Sequence, residues 1–120
     1  MSIELKKRTQ RFTLDCWYLC RKLPKSREFD AYVRQLIRSS SSVGANYRAA
    51  LRGKSDRDFI NKLKIVEEEA DESMFWLELF QEIEDNNTKE IIRLMKEANE
   101  LTAITVASIN TAKRKMNNKQ

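Results

Sequence analysis

Histidine is absent from this 120-residue chain, and glycine, proline and cysteine are scarce, with two, one and two residues respectively. Without histidine there is no imidazole base, no Ser-His-Asp triad and no imidazole metal ligand. A glycine-rich phosphate loop is also missing. Because glycine and proline supply much of the turn material in proteins, their scarcity predicts one domain of a few long helices. No apolar run is long enough to span a membrane, and the N-terminus lacks a signal-peptide core, so we expect a cytoplasmic protein.

The two cysteines, Cys16 and Cys20, lie four residues apart on the first predicted helix. They are either half of a metal site or redox pair, or two small buried thiols. No histidine or further cysteine exists to complete a zinc site, which favours buried thiols. The sequence therefore predicts neither a metal nor a cofactor.

Charge is divided unevenly along the chain, whose formal net charge is +5. Residues 1–54 hold 13 Lys/Arg and 4 Asp/Glu, a net +9, whereas residues 55–120 hold 10 and 14, a net −4. The two halves can attract each other within a bundle or between subunits. The positive surplus also favours a polyanionic partner.

Apolar residues spaced by three, four and seven predict four helices and no strand. We place these helices at about residues 3–22, 26–53, 55–85 and 88–112. Short connections between four helices predict an all-α, antiparallel, up-down-up-down bundle over residues 1–112. The basic residues 113–120 are predicted to form a frayed tail.

The predicted helix ends and core follow from local patterns. Ser26 and Ser55 are the expected N-caps of the second and third helices, and Asn87 or Thr88 that of the fourth. The fourth helix has a core stripe that is small or polar in its second half, with Thr105, Ser108 and Ala112.

The middle of the second helix is crowded with small residues: four serines at 39–42, then Gly44 and Ala45. Serine and glycine are poor helix formers, so a helix keeps them in its centre mostly where another backbone comes close. This patch predicts intimate helix packing.

A second apolar stripe on the third helix points away from the predicted core and contains a tryptophan. Scattered exposed apolar residues are normal, but a tryptophan in register with three aliphatic residues favours a subunit interface. Trp17 and Tyr18 of the first helix are candidates to contribute. The predicted interface residues are Ile65, Glu69, Glu72, Trp76, Leu79 and Ile83.

Four arginines, Arg34, Arg38, Arg48 and Arg52, line one edge of the second helix. They either pair with the acidic run at 67–72 or bind nucleic-acid phosphates. We favour pairing for Arg38 and Arg48, and phosphate for the two outer arginines. The predicted nucleic-acid-binding residues are Arg34, Arg38, Arg48, Arg52, Lys113, Arg114 and Lys115.

The segments QLIRSSSSVGANYRAA, at 35–50, and SDRDFINKLKIVEEEADESMFWLEL, at 55–79, support a family comparison. They resemble the small bacterial four-helix-bundle proteins first noticed as open reading frames in intervening sequences of 23S ribosomal RNA genes. The likeness spans the first three helices. Ala49 departs from the glutamate that many relatives have there.

The resemblance implies an antiparallel four-helix bundle assembled as a ring-like homopentamer without enzyme activity. The chain is also similar in fold to the accessory protein of diversity-generating retroelements, a basic pentamer that works with a reverse transcriptase and binds nucleic acid. That similarity is a fold-level analogy.

Together these observations predict a non-enzymatic homo-oligomer that binds RNA or DNA non-specifically through a basic surface. The alternative is a protein-interaction scaffold or accessory subunit for a nucleic-acid enzyme such as a reverse transcriptase. A carboxylate-based enzyme is disfavoured, because helical carboxylate sites use a Glu-x-x-His motif that this chain lacks.

Overall fold

The computed structural model describes residues 2–118, with side chains from residue 4 onward, and every element in this part is helical. The described chain measures 54 × 21 × 20 Å, and no helix within it has both the length and the apolar character to cross a membrane. The predicted all-α class and the four helices are confirmed. The helices are α1 (Ser2–Lys22), α2 (Arg27–Ala50), α3 (Asp56–Ile83) and α4 (Thr88–Asn118).

Serine caps begin α2 and α3 as predicted. The hydroxyl oxygens of Ser26 and Ser55 accept hydrogen bonds from the backbone N–H groups of Phe29 and Asp58, each at 3.1 Å. Each cap satisfies one of the N–H groups that a helix start leaves without a partner. These local interactions fix where the two central helices begin.

The connection between α3 and α4 is held by Glu84, whose side chain is buried. It accepts hydrogen bonds from the side-chain amide of Asn87 at 3.0 Å and from the backbone N–H of Asn86 at 3.4 Å. Asn87 has a φ of 52°, in the left-handed region that asparagine tolerates better than most residues. Its backbone carbonyl accepts the first α4 bond, from Ile91, while Thr88 donates back to Asp85. The side chains of the two predicted caps, Asn87 and Thr88, therefore accept no hydrogen bond from the backbone N–H groups in the first turn of α4.

The C-terminal part of α4 differs from the prediction. The sequence favoured an end near Ala112, but the helix continues to Asn118. Met116 packs half-buried against the core, which gives the last turns an apolar contact. Ile109 is buried whereas Ser108 is only half-buried, because the core stripe of α4 is rotated slightly from the predicted one.

The core runs the length of the bundle and takes residues from all four helices. Most apolar positions with the predicted helical spacing are buried, and Cys16 and Cys20 are buried free thiols, as expected. The largest fully buried apolar side chains are Phe12, Phe80, Leu19, Leu36, Leu63, Leu77, Ile91, Leu94 and Leu101.

The small residues of α2 allow it to approach α1 and α3 closely. On the α1 side, Thr13 donates from its hydroxyl to the backbone oxygen of Ser40 at 2.6 Å. A Cβ atom on Gly44 would lie 3.1 Å from the Thr13 hydroxyl and 3.5 Å from the Thr9 carbonyl oxygen. On the α3 side, the buried hydroxyls of Ser39 and Ser73 are hydrogen-bonded at 2.8 Å. The predicted close helix packing is therefore present inside the subunit.

Ion pairs close the seam between α1 and α4. Arg8 binds Glu97 and Glu100, each at 2.7 Å, and Arg93 binds the buried Asp15 at 3.0 Å. The pKa of Arg8 is raised mainly by its hydrogen bond to Glu97. The pKa of Arg93 is raised mainly by its hydrogen bond to Glu90. These guanidinium groups remain charged at every pH at which the protein folds.

Gly44→Leu should lower the free energy of unfolding by about 1–3 kcal/mol, because the added side chain would collide with α1. This loss should appear although leucine is the better helix former by about 1 kcal/mol. Chemical denaturation measures the difference. The matched control is Ala31→Leu, at an exposed α2 position, which should change stability by no more than about 0.5 kcal/mol. Equal stability of the two variants would contradict the close packing of α1 and α2.

The two thiols should be inert in the folded protein. Burial raises the pKa of Cys20 to about 12, and burial is also the main cause that raises the pKa of Cys16 well above its usual range. Because the thiolate is the reactive form, a disulfide reagent at pH 8 should modify them only as fast as the protein unfolds. Both should react rapidly in denaturant, and rapid modification of the native protein would show that α1 opens.

Candidate nucleic-acid and subunit interfaces

Arg38 is bound to the acidic run of α3 within the subunit. One guanidinium nitrogen lies 3.0 Å from Glu69, the other contacts Glu72, and Nε donates to the side chain of Gln35 at 3.3 Å. Hydrogen bonding to Glu69, and then to Glu72, raises the pKa of Arg38. The pairing alternative is therefore correct for Arg38, which makes it a poor phosphate ligand.

Trp76 belongs to the same cluster. Its indole N–H donates to Glu72 at 3.1 Å, and its ring lies 5.5 Å from that of Tyr32 on α2, measured between centroids. Trp76 is half-buried and packs against the core. The tryptophan is thus partly covered inside the subunit, in the groove between α2 and α3.

The predicted interface residues on α3 differ in how much of each side chain is exposed to solvent. Ile83 is 52% exposed, so it presents an apolar surface to solvent. Phe75, which is not in the predicted set, is 51% exposed and its ring meets that of Trp76 edge to face. The outward apolar surface of α3 is therefore centred nearer Phe75 than Trp76. The half-buried members of the predicted set are Ile65, Glu69, Glu72, Trp76 and Leu79.

Arg48 does not pair with the acidic run, contrary to the favoured prediction. It lies ten residues beyond Arg38, about 15 Å further along α2 at 1.5 Å per residue. The α3 carboxylates that contact α2 are those bound by Arg38, and Arg48 lies too far along the helix to reach them. Within residues 4–118, Arg34, Arg48 and Arg52 are exposed and make no ion pair.

A group of free cations lies at one end of the bundle, which we call the basic end. Arg48 and Arg52 are joined there by Lys54 and Arg57, in or next to the connection between α2 and α3. Neither Lys54 nor Arg57 is among the predicted nucleic-acid-binding residues, although the Gly53-Lys54-Ser55 turn signal between two helices places both residues at a helix junction.

The last turns of α4 extend to the same end. Its 31 residues and the 28 residues of α3 give helices of about 46 and 42 Å, joined by four residues and packed together. Lys113, Arg114 and Lys115 therefore lie near the start of α3, and all three are exposed. Seven exposed cations thus share the basic end: Arg48, Arg52, Lys54, Arg57, Lys113, Arg114 and Lys115.

A shallow apolar groove lies between α1 and α2. Leu14, Trp17 and Tyr18 are 42%, 45% and 47% exposed, and Ile37 forms part of its wall. The guanidinium carbon of Arg21 lies 5.2 Å from the centre of the Trp17 ring. The volume of the groove is about 260 Å³, and its remaining lining residues are Thr13, Ser40 and Ser41.

A larger cleft of about 470 Å³ on α1 and α4 is lined mainly by charged residues. Its Arg8, Arg11 and Arg93 are each bound to carboxylates of the subunit. Within the described residues, no group of three or more Cys, Asp or Glu side chains is arranged to hold a metal ion.

Comparison with known proteins shows the family of this chain. Residues 1–107 match the family model described as 23S rRNA-intervening sequence protein. No curated protein matches the chain significantly.

A similar solved structure is the 1.70 Å crystal structure of a protein of unknown function from the S23 ribosomal protein family of Bacteroides thetaiotaomicron VPI-5482. It is 30% identical in sequence, with a TM-score of 0.80, and the match covers 88% of this chain and 97% of that one. The family match and the shared fold confirm the resemblance, and this chain belongs to the 23S rRNA-intervening sequence protein family.

Proposed function

We propose that this protein is a non-enzymatic homo-oligomer, built as a ring of antiparallel four-helix bundles, that binds RNA or DNA through backbone phosphates at the basic end. The homopentamer implied by the family resemblance is the assembly we expect. One observation carries the proposal: seven exposed cations share one end of the bundle, and none has a carboxylate partner within residues 4–118.

Their lack of a carboxylate partner distinguishes these cations from the ion-paired arginines of the fold. Arg8, Arg38 and Arg93 are bound to carboxylates, so a phosphate would have to displace an existing ion pair. At the basic end, a phosphate displaces only water and counterions. The release of counterions from nucleic acid provides the driving force for such contacts and makes them salt-dependent.

The chemistry of the basic end predicts low sequence preference. Phosphate contacts position a protein on nucleic acid without carrying base information. Within residues 2–118 no strand lies beside the cations, so nothing there has the form of a base-reading element. An assembly would present several basic ends to one polyanion, so weak sites would add up to useful affinity.

Replacing Lys113, Arg114 and Lys115 together by glutamine should weaken binding to a structured RNA. Three phosphate contacts per subunit contribute about 2–3 to the slope of log affinity against log salt concentration. We therefore expect a slope smaller by about that amount for each subunit engaged. Fluorescence anisotropy over a salt series measures it.

The matched control replaces Lys22, Lys25 and Arg27 by glutamine, three exposed cations at the other end of the bundle. This variant has the same net charge as the first and should keep most of the affinity and slope. An equal loss in both variants would mean that only net charge matters. Undetectable binding by the unchanged protein at low salt would refute the proposed function.

A scaffold or accessory role for a nucleic-acid enzyme is the second candidate. Ile92 and Val106 are exposed on α4, at 48% and 36%, and lie outside the surfaces described on the other helices. A partner enzyme such as a reverse transcriptase could bury them.

Under this second role, Ile92→Lys combined with Val106→Lys should abolish co-purification with the partner enzyme while RNA binding stays unchanged. The control is Ala107→Lys, at a neighbouring exposed α4 position. Retention of the partner by the double variant would exclude this α4 surface as its docking site.

A further inference from the structure

Two exposed apolar surfaces on different helices are surrounded by residues of opposite charge. We propose that they dock head to tail, so that the groove between α1 and α2 of one copy receives the Phe75 side chain of a second copy. This inference rests on the proposed assembly and specifies the contact that builds it.

The groove has the size and chemistry for an aromatic ring. Leu14, Trp17, Tyr18 and Ile37 provide apolar walls around a volume of about 260 Å³. Cavities of roughly 150 Å³ accept benzene, so a phenyl ring enters this groove with room for its Cβ atom. The perpendicular Trp17 and Tyr18 rings, 5.3 Å apart, offer the edges and faces that aromatic side chains prefer to contact.

Phe75 protrudes from the surface of α3 that faces away from the core. Residues three, four and seven positions away on a helix share its surface, and these neighbours are almost all acidic. They comprise Leu79, the Arg38-paired Glu72 and four carboxylates that make no ion pair within residues 4–118: Glu68, Asp71, Glu78 and Glu82. The ring is thus a single large apolar anchor surrounded by negative charge.

The groove has the opposite surroundings. Arg21 lies over Trp17, and Arg34, one turn before Ile37, is exposed and makes no ion pair within residues 4–118. As whole helices, α1 contains six Lys/Arg and two Asp/Glu, a net +4, whereas α3 contains three and nine, a net −6. Docking Phe75 into the groove brings these unlike charges together around an apolar centre, as in stable interfaces.

The same charges disfavour an interface between two like surfaces. A twofold dimer through two grooves would oppose arginines, and one through two Phe75 surfaces would oppose carboxylates. Like charges brought together in an interface are strongly unfavourable. A head-to-tail contact leaves one free surface of each kind at the ends, so further copies add until the assembly closes.

The position of α2 makes the head-to-tail contact a turning one rather than a straight repeat. This helix packs against α1 through Ser40 and against α3 through Ser39, so the groove and the Phe75 surface lie around α2 rather than on opposite sides of the bundle. Each added copy is therefore turned relative to the previous one.

The test uses two variants that each lose one surface. Trp17→Glu should disable the groove and leave Phe75 free, whereas Phe75→Lys should disable the anchor and leave the groove free. Both side chains are about half exposed, so thermal denaturation should show folded proteins. By light scattering coupled to size exclusion, each variant alone should have the mass of a monomer while the unchanged protein is an oligomer.

Mixing the two variants in equal amounts provides the decisive measurement. The intact Phe75 of the first fits the intact groove of the second, so native mass spectrometry should show a 1:1 dimer that grows no further. A twofold interface between two grooves, or between two Phe75 surfaces, cannot give this rescue. Ile92→Lys, an exposed apolar residue outside both surfaces, is the matched control and should assemble as the unchanged protein does.

The outcomes separate this inference from the proposed function. Assembly of either single variant, or failure of the mixture to form the dimer, overturns the docking model while the oligomer itself stands. A monomeric unchanged protein overturns the proposed assembly as well. RNA binding by the monomeric variants at low salt tests the basic end independently of both.

Discussion

The close approach of α2 to both of its neighbours is the constraint on which the rest of the bundle depends. Gly44 lies against α1, and the buried hydroxyls of Ser39 and Ser73 meet on the α3 side. Larger side chains at these positions would push the helices apart and expose the core beneath. Ser39 and Ser40 bury their polar groups without loss, because each hydroxyl also donates to a backbone carbonyl of α2. α2 is thus an internal spacer that sets the distance between its neighbours.

The rotation of α2 fixed by this packing also decides what its arginines do. With the serines turned inward, Arg38 reaches the α3 carboxylates, and its guanidinium forms ion pairs and a side-chain hydrogen bond there. Arg34, Arg48 and Arg52 are left facing solvent. One helical stripe therefore splits into a structural arginine and free ones. The packing of α2 in the middle of the bundle thus leaves these arginines without a carboxylate partner on α3.

The sequence predicts the local features of this fold well, because they depend on residues close together in the chain. The serine caps, the four helices and most core positions follow from spacing and propensity alone. Pairing across helices is harder to predict, because it depends on axial register and rotation. The spacing of arginines in the sequence makes Arg38 and Arg48 equally good candidates to pair with Glu69. Only the 15 Å that separates them along α2 distinguishes the two. The end of α4 was missed for a similar reason, since Met116 stabilises it through a distant contact.

The basic end gives the subunit a direction along its long axis. The other end has mixed charge, where Lys22, Lys25 and Arg27 stand among Glu28, Asp30 and Asp85. In a cyclic assembly all subunits point the same way, since rotation about the symmetry axis cannot invert them. Such an oligomer would have two unlike rims, one cationic and one close to neutral. A polyanion held on the cationic rim would leave the neutral rim open to solvent.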